Sequence, residues 1–253
     1  MGIVKKQKAA IINCELIAAA IKDETKALMV EGCEYNLNIF APNSPDNESY
    51  IKGIKRDAKS LDIGTCERSC ENWEPYIHDG PYITMFPRHI DEEYDGVYDV
   101  DGRNSGSWFA PRTAKAVWEI LYAISNGDQF CGKTIVIIGR GETGNEIHSL
   151  LRTLTNATLI QCNSMSELKK FTKKADVIIS AAGADTIDKT MIKKGSILID
   201  VGIRVVDGKV VGDINENVRE IDCVVTPVPN GVGLVTRACL MRAVVQATNM
   251  AAE

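Results

Sequence analysis

Gly139, Gly141 and Gly144 follow the apolar run KTIVIIG and precede a stretch in which Ile147, Leu150, Leu151 and Leu154 recur at helical spacing. Strand, glycine turn and helix in that order are the setting in which G-x-G-x-x-G cradles the pyrophosphate of a dinucleotide. The first glycine permits the tight turn, the second lets a phosphate approach the backbone, and the third lets the helix pack on the sheet. The N–H groups of the helix's first turn then face the anion. Gly139, Arg140, Gly141, Glu142, Thr143 and Gly144 are therefore candidate cofactor contacts. At the end of the next strand, where an acid would bind the ribose hydroxyl of NAD, the chain has Gln161, Cys162, Asn163 and Ser164. With no carboxylate there to repel a 2′-phosphate, and with Arg140 in the loop, NADP is favoured and NAD stays open. Arg140 also reads as an ordinary solvated loop charge.

A second group lies in TPVPNGVG, residues 226 to 233. Pro227 and Pro229 fix φ, while Gly231 and Gly233 allow another backbone or a ligand to come close. The loop feeds a helix starting near Thr236. Two further stretches, ISAAG at 179 to 183 and IDVGI at 199 to 203, end strands at small residues. In a parallel sheet, ligands lie beyond the carboxyl ends of the strands, so Ala182, Gly183, Gly202 and Ile203 could leave room for a flat ring. Ordinary strand-to-loop punctuation explains the same pattern.

These groups are carried by alternating elements. Residues 15 to 31 place Leu16, Ile17, Ala20, Ile21, Ala27 and Leu28 on one helical stripe, with Gly32 as the stop. YNLNIFA and PYITMF read as strands, the latter ended by Pro87, and a helix over about 48 to 61 separates them. TAKAVWEILYAIS is a helix. TLIQC, ADVIISAAG, KKGSILIDVGI and DCVVTPV are strands, and SELKKFTKK is a helix. The second half thus has the pattern of a Rossmann-type doubly wound parallel sheet, preceded by an α/β layer.

The composition sets outer limits. At 253 residues the chain can build two ordinary cores. A net charge of −5 with no long basic run gives no support to a nucleic-acid or anionic-membrane surface. No apolar run is long enough to span a bilayer, and the N-terminus has no signal-peptide core, so a cytoplasmic protein is expected. The eight cysteines are scattered, and the lone Cys66–Cys70 pair has no second pair to complete a zinc site. His78, His89 and His148 form no local metal motif. Free thiols and no metal are expected.

The loop TPVPNGVGLVT resembles the TPVPGGVGPMT signature of the methylenetetrahydrofolate dehydrogenase/cyclohydrolase family, with Asn230 for the first glycine of its pair and Leu234 for the later proline. CNSMS, ISAAG, LIDVGI and GDI resemble that family's CHSxT, VxAxG, VIDVGI and GDV in the same order, over residues 131 to 250. The family's GRSxxVG is one residue longer than GRGETG. SYIKGIKRDAKSLDI and DVDG at 99 to 102 resemble its SxxYVxxKxKAxxxxGI and KDVDG. The resemblance implies an N-terminal folate domain of residues 1–112, joined by the C-terminal helix 236–253 packing back on it, and a dinucleotide domain of 113–235. It implies folate contacts from Tyr50, Asp101, Pro229, Gly231, Val232 and Gly233, and cofactor contacts that extend to Asn163, Ser164, Ala182, Gly183, Gly202, Ile203 and Thr236. Homodimers are the family's assembly.

One constellation departs from the family. Its catalytic lysine, four residues after the tyrosine, is Ile54 here, and the glutamine supporting it is Thr84. Ile54 joins Ile51, Ala58 and Leu61 in an apolar stripe, and Lys55 lies roughly 100° away around the helix. Hydrolysis of a methenyl-folate needs a positioned amine to move protons. Hydride transfer needs alignment and dryness, because the cofactor carries the chemistry. The expectation is an NADP- or NAD-dependent methylenetetrahydrofolate dehydrogenase without cyclohydrolase activity. Two alternatives are an oxidation of another small metabolite on the same fold and a non-catalytic folate- or nucleotide-binding protein.

Overall fold

Buried strands of Ile and Val organise the first of two units in the computed structural model, which describes residues 8–42, 45–68, 79–85, 97–102, 107–125, 129–163 and 165–252. The chain divides into one unit of residues up to Ile17 together with Thr113–Val235, and a second of Ala18–Arg112 with Thr236–Glu253. The expected folate domain began at residue 1, and here the structure differs. Strand β1 (Ala10–Ile11) lies in the first unit, where it pairs in parallel with a strand more than 200 residues later, Ala10 beside Val224. Two residues carry no periodicity, so only the ladder reveals the strand.

In chain order the remaining elements are α1 (Cys14–Leu28), β2 (Asn36–Phe40), α2 (Pro45–Lys59), β3 (Gly64–Arg68), β4 (Tyr82–Thr84), α3 (Arg112–Ser125), β5 (Thr134–Ile138), α4 (Glu142–Leu154), β6 (Thr158–Cys162), α5 (Met165–Thr172), β7 (Val177–Ser180), β8 (Ile197–Asp200), β9 (Arg204–Val206), β10 (Lys209–Val211), β11 (Val224–Val225) and α6 (Val232–Ala251). The first unit is a six-stranded sheet of order β1-β11-β8-β7-β5-β6, with every pair parallel. Ile135 to Ile138 and Val177 to Ile179 are buried on both faces, which is why their sequences run apolar without alternation. Ile147 and Leu151 of α4 and Leu168 of α5 are buried. The chain reverses direction across the sheet at β5, with β6 on one side and β7 on the other. A crevice opens at such a switch point, and the glycine turn begins there at Gly139.

The second unit has a three-stranded parallel sheet of order β3-β2-β4. Leu37, Ile39 and Ile83 join Ile51, Ile54, Ala58 and Leu61 of α2 and Leu240, Met241, Val244 and Val245 of α6 in one apolar cluster. The C-terminal helix therefore packs on this unit, as the resemblance implied. Helix α1 ends at Leu28, short of the expected residue 31, because Val30 N–H donates to the Tyr35 hydroxyl at 2.8 Å instead of continuing the helix. Strand β3 escapes periodicity because GTCER is mostly exposed, and it is held by register to β2. The β9–β10 hairpin turns on Asp207 and Gly208, both at positive φ (51° and 73°), the signature of an Asp-Gly type I′ turn.

Pro87 and Ser164 lie outside the described residues. Seven free cysteines are present among the described residues. Within those residues no helix is long and apolar enough to cross a membrane, and no group of acids, histidines and cysteines could hold a metal.

Candidate functional site

The glycine turn divides its labour as the sequence requires. Gly139 sits at φ +114°, and a Cβ there would stand 2.5 Å from the Ala181 carbonyl oxygen. A Cβ on Gly144 would meet the Gly139 carbonyl at 2.4 Å. Both positions therefore exclude side chains for internal reasons. Gly141 is different: it caps α4 with no side-chain hydrogen bond, and a Cβ there would meet nothing within 4 Å. The space before the N-terminus of a 13-residue helix is thus open and lined by backbone, which fits a pyrophosphate. Glu142 and Thr143 can offer their N–H groups to it. The Glu142 carboxylate suits the helix dipole but repels phosphate, so its contribution is the backbone alone.

At the carboxyl end of β6, Arg140 Nη2 donates to the Gln161 carbonyl at 3.3 Å, which holds an exposed guanidinium beside the position a ribose substituent would occupy. Gln161 turns away from that position. Its Nε2 donates to the Gly139 carbonyl and to Asn145 Oδ1, each at 2.9 Å, stitching the turn to the sheet. Asn163 is exposed at the same strand end. No carboxylate was expected there, and among the described residues the strand end bears Gln161, Cys162 and Asn163.

Beyond β7 and β8, sequence reasoning missed two acids. Asp213 is fully buried, and its Oδ2 accepts from Ala182 N at 2.8 Å, Gly183 N at 3.2 Å and Ser180 Oγ at 3.0 Å. Asp200, 5% exposed, accepts from Asp213 N at 2.9 Å and Ile214 N at 3.1 Å. Burial pushes the Asp200 carboxyl up to about 6; its backbone donors and Arg204 oppose this, and the charge of Asp213 adds to it. Ala182, Gly183 and Gly202 are thereby brought together at the strand ends, with Gly139 touching the same loop. Ile203 is 60% exposed and makes no such contact among the described residues.

In the proline-glycine loop, Gly231 is required sterically, because a Cβ would fall 2.0 Å from the Pro227 carbonyl. The Val228–Pro229 peptide is cis. Asn230 occupies positive φ, 68°, which explains why asparagine replaces the family's glycine: it is among the non-glycine residues that tolerate this region best. A Cβ on Gly233 would meet open space, while Val232 and Thr236 are buried.

In the second unit, α2 presents Tyr50, Gly53, Ile54 and Asp57 at i, i+3, i+4 and i+7. Tyr50 is half-buried against the apolar cluster, and Ile54 is wholly inside it. Asp57 is buried and accepts from Lys22 Nζ at 2.7 Å and Arg237 Nε at 2.5 Å. Burial alone would raise its carboxyl, but the two cations hold it below the usual carboxylate range. Arg237 crosses Gly53 so closely that a Cβ there would stand 3.0 Å from Nε. The two neighbouring lysines of α2 point elsewhere: Lys52 faces Glu48 with 78% of its side chain exposed, and Lys55 pairs with Glu67.

Asp101, expected to face a ligand, is turned inward. Its Oδ2 accepts from Thr84 N at 2.7 Å, its Oδ1 pairs with Arg112, and its side chain is fully buried. Thr84 is buried beside it.

Known proteins resemble the chain over nearly its whole length. The model of the tetrahydrofolate dehydrogenase/cyclohydrolase NAD(P)-binding domain matches residues 111–252. The bifunctional protein FolD of Petrotoga mobilis is 44% identical, over 94% of this chain and 97% of that one. The crystal structure of the bifunctional methylenetetrahydrofolate dehydrogenase/cyclohydrolase from Campylobacter jejuni superposes with a TM-score of 0.84 at 27% identity, covering 96% of this chain and 99% of that one. A 5,10-methylenetetrahydrofolate dehydrogenase from the silkworm, Bombyx mori, gives a TM-score of 0.80 at 26% identity, over 96% and 99% of the two chains.

Proposed function

The chain belongs to the tetrahydrofolate dehydrogenase/cyclohydrolase family, and on that premise we propose that it transfers a hydride between 5,10-methylenetetrahydrofolate and NADP or NAD, giving 5,10-methenyltetrahydrofolate, without cyclohydrolase activity. The nicotinamide supplies the hydride acceptor. The chain's own work is binding and alignment. The N–H groups before α4 take the pyrophosphate, Arg140 favours a 2′-phosphate, and the small residues at 182, 183 and 202 leave room for the ring. Tyr50 and the 229–233 loop are the folate contacts of this reading; Asp101 is not among them, because its two oxygens are taken by Thr84 and Arg112. A homodimer in the cytoplasm is the form in which we propose it acts.

Burial of Ile54 carries the loss of hydrolysis. An isoleucine at 0% exposure inside an apolar cluster can neither deliver a water nor hold a proton. Lys52, Lys55 and Lys22 do not replace the missing amine, because each is paired with a carboxylate. The Campylobacter jejuni relative carries both activities in its name, so the proposal departs from it at this one step. Incubation with methylenetetrahydrofolate and either nucleotide tests it. Reduced nicotinamide and methenyl-folate absorbance should rise together, and the methenyl band should then decay no faster than without protein. Reduced nicotinamide formed with no lasting methenyl band would show that hydrolysis is retained.

A further inference from the structure

We infer that Asp213 is a positioning residue for nucleotide binding, acting through the Ala182–Gly183 backbone and not by touching the cofactor. The inference rests on reading the first unit as the nucleotide-binding one. Asp213 is fully buried, and a single oxygen accepts three hydrogen bonds, one from Ser180 at the end of β7 and two from the segment that follows it. Its other oxygen, Oδ1, is buried with no hydrogen-bond partner and lies where a Cβ on Gly202 would be, 2.2 Å away. The carboxylate is therefore enclosed by its own unit, facing backbone on both sides.

What Asp213 holds matters because of what that segment touches. The Ala181 carbonyl lies where a Cβ on Gly139 would intrude, so the loop after β7 forms one wall of the glycine turn. Gly183 is at φ +65°, a conformation that two accepted N–H bonds fix and that glycine alone would leave loose. Asp213 is in turn held by Asp200, whose carboxylate takes the Asp213 and Ile214 N–H groups and whose own N–H donates to Thr226 Oγ1 at 2.8 Å. Two acids thus tie the carboxyl ends of β7, β8 and β11 to the segment after β10.

The sign of the effect separates this role from simple electrostatics. A buried negative charge near the site of an anionic dinucleotide weakens its binding by Coulomb repulsion. If charge were the whole contribution, removing it would tighten binding. A positioning residue predicts the reverse. Asp176 provides the comparison, since it sits at the opposite end of β7, accepts from Thr134 N at 2.8 Å and pairs with Lys193 at 2.7 Å.

The test is calorimetric titration of the full chain with NADP and with NAD, without folate, so that hydride transfer is not needed for a readout. Asp213→Ala should weaken the preferred nucleotide about tenfold or more, while Asp213→Asn, which keeps an acceptor without the charge, should stay within about threefold of the parent. Asp176→Ala should lower Tm and leave the affinity unchanged. Amide exchange at residues 182 and 183 should quicken in Asp213→Ala alone. Equal or tighter binding by Asp213→Ala, or the same loss in Asp176→Ala, overturns the inference while leaving the nucleotide reading in place. Failure of the parent chain to bind either nucleotide overturns both.

Discussion

Asp213 occupies the space that a side chain on Gly202 would need: a Cβ at 202 would fall 2.1 Å from Oδ2. The relationship is reciprocal, since a Cβ on Gly212 would fall 2.0 Å from Oδ2 of Asp200. Each acid is thus lodged against the glycine beside the other. IDVGI and GDI, two separate motifs in the sequence, are halves of one clasp. Gly202→Ala and Gly212→Ala should each cost roughly 3 kcal/mol, because the obstacle is a hydrogen-bonded buried carboxylate that has nowhere to move. Chemical denaturation measures this.

Gly141→Ala should behave oppositely. Its φ of −71° suits any residue and a Cβ meets nothing within 4 Å, so unfolding free energy should change by less than about 0.5 kcal/mol. Nucleotide affinity should nonetheless fall about tenfold, because the added methyl stands in the phosphate approach. Titration with NADP alongside a melting curve reads both.

The contrast between these glycines shows what a sequence exposes. The turn at 139 to 144 is legible because strand, turn and helix are contiguous. The stripe of Ile51, Ile54, Ala58 and Leu61 is legible because helical spacing brings neighbours onto one face, and all four are buried together. Asp213 is not, because its N–H donors lie about 30 residues earlier and nothing local to GDI points to them. Arg237 and Asp57 are 180 residues apart, and neither has a local signal. Asp101 is marked only by the resemblance of DVDG to the family's KDVDG, and no periodicity tells whether it faces outward or pairs with Arg112.

Asp200 gives a pH dependence with a definite sign. Its carboxyl is raised from the ordinary 3.8 to about 6, so the folded protein holds this proton more tightly than the unfolded chain. The contribution is fully stabilising below about pH 4 and is lost as pH rises to about 6. The gap corresponds to roughly 3 kcal/mol. Asp200→Asn should flatten that part of the stability–pH curve, as measured by denaturant midpoints between pH 4 and 7.

Asp57 titrates with the opposite sense. Its carboxyl is held low, so its stabilisation is present above the ordinary carboxylate range and disappears as pH falls through the lowered value. Asp57→Ala leaves Arg237 and Lys22, with 12% and 23% of their side chains exposed, without their shared acceptor. The cost should be about 3 kcal/mol, the lower end of the range for a broken buried pair because Lys22 keeps some water. An Asp57→Ala protein as stable as the parent at neutral pH would mean that the two cations find solvent.

Ile54→Lys inserts an ammonium where the structure has a fully buried side chain among Ile51, Leu240, Met241 and Val244. An unpaired charge in such a cluster shifts toward its neutral form or forces the helix to yield. Stability should fall by roughly 3 kcal/mol, within the range for an unpaired buried charge. Methenyl-folate hydrolysis should remain at the uncatalysed rate, because Thr84, at the position of the supporting glutamine, is buried with its backbone N–H given to Asp101. Stopped-flow decay of the methenyl band, with and without the variant, decides the matter. Catalysed decay by a stably folded Ile54→Lys protein would mean that position 54 still opens to the substrate, and that one residue alone separates this chain from its bifunctional relatives.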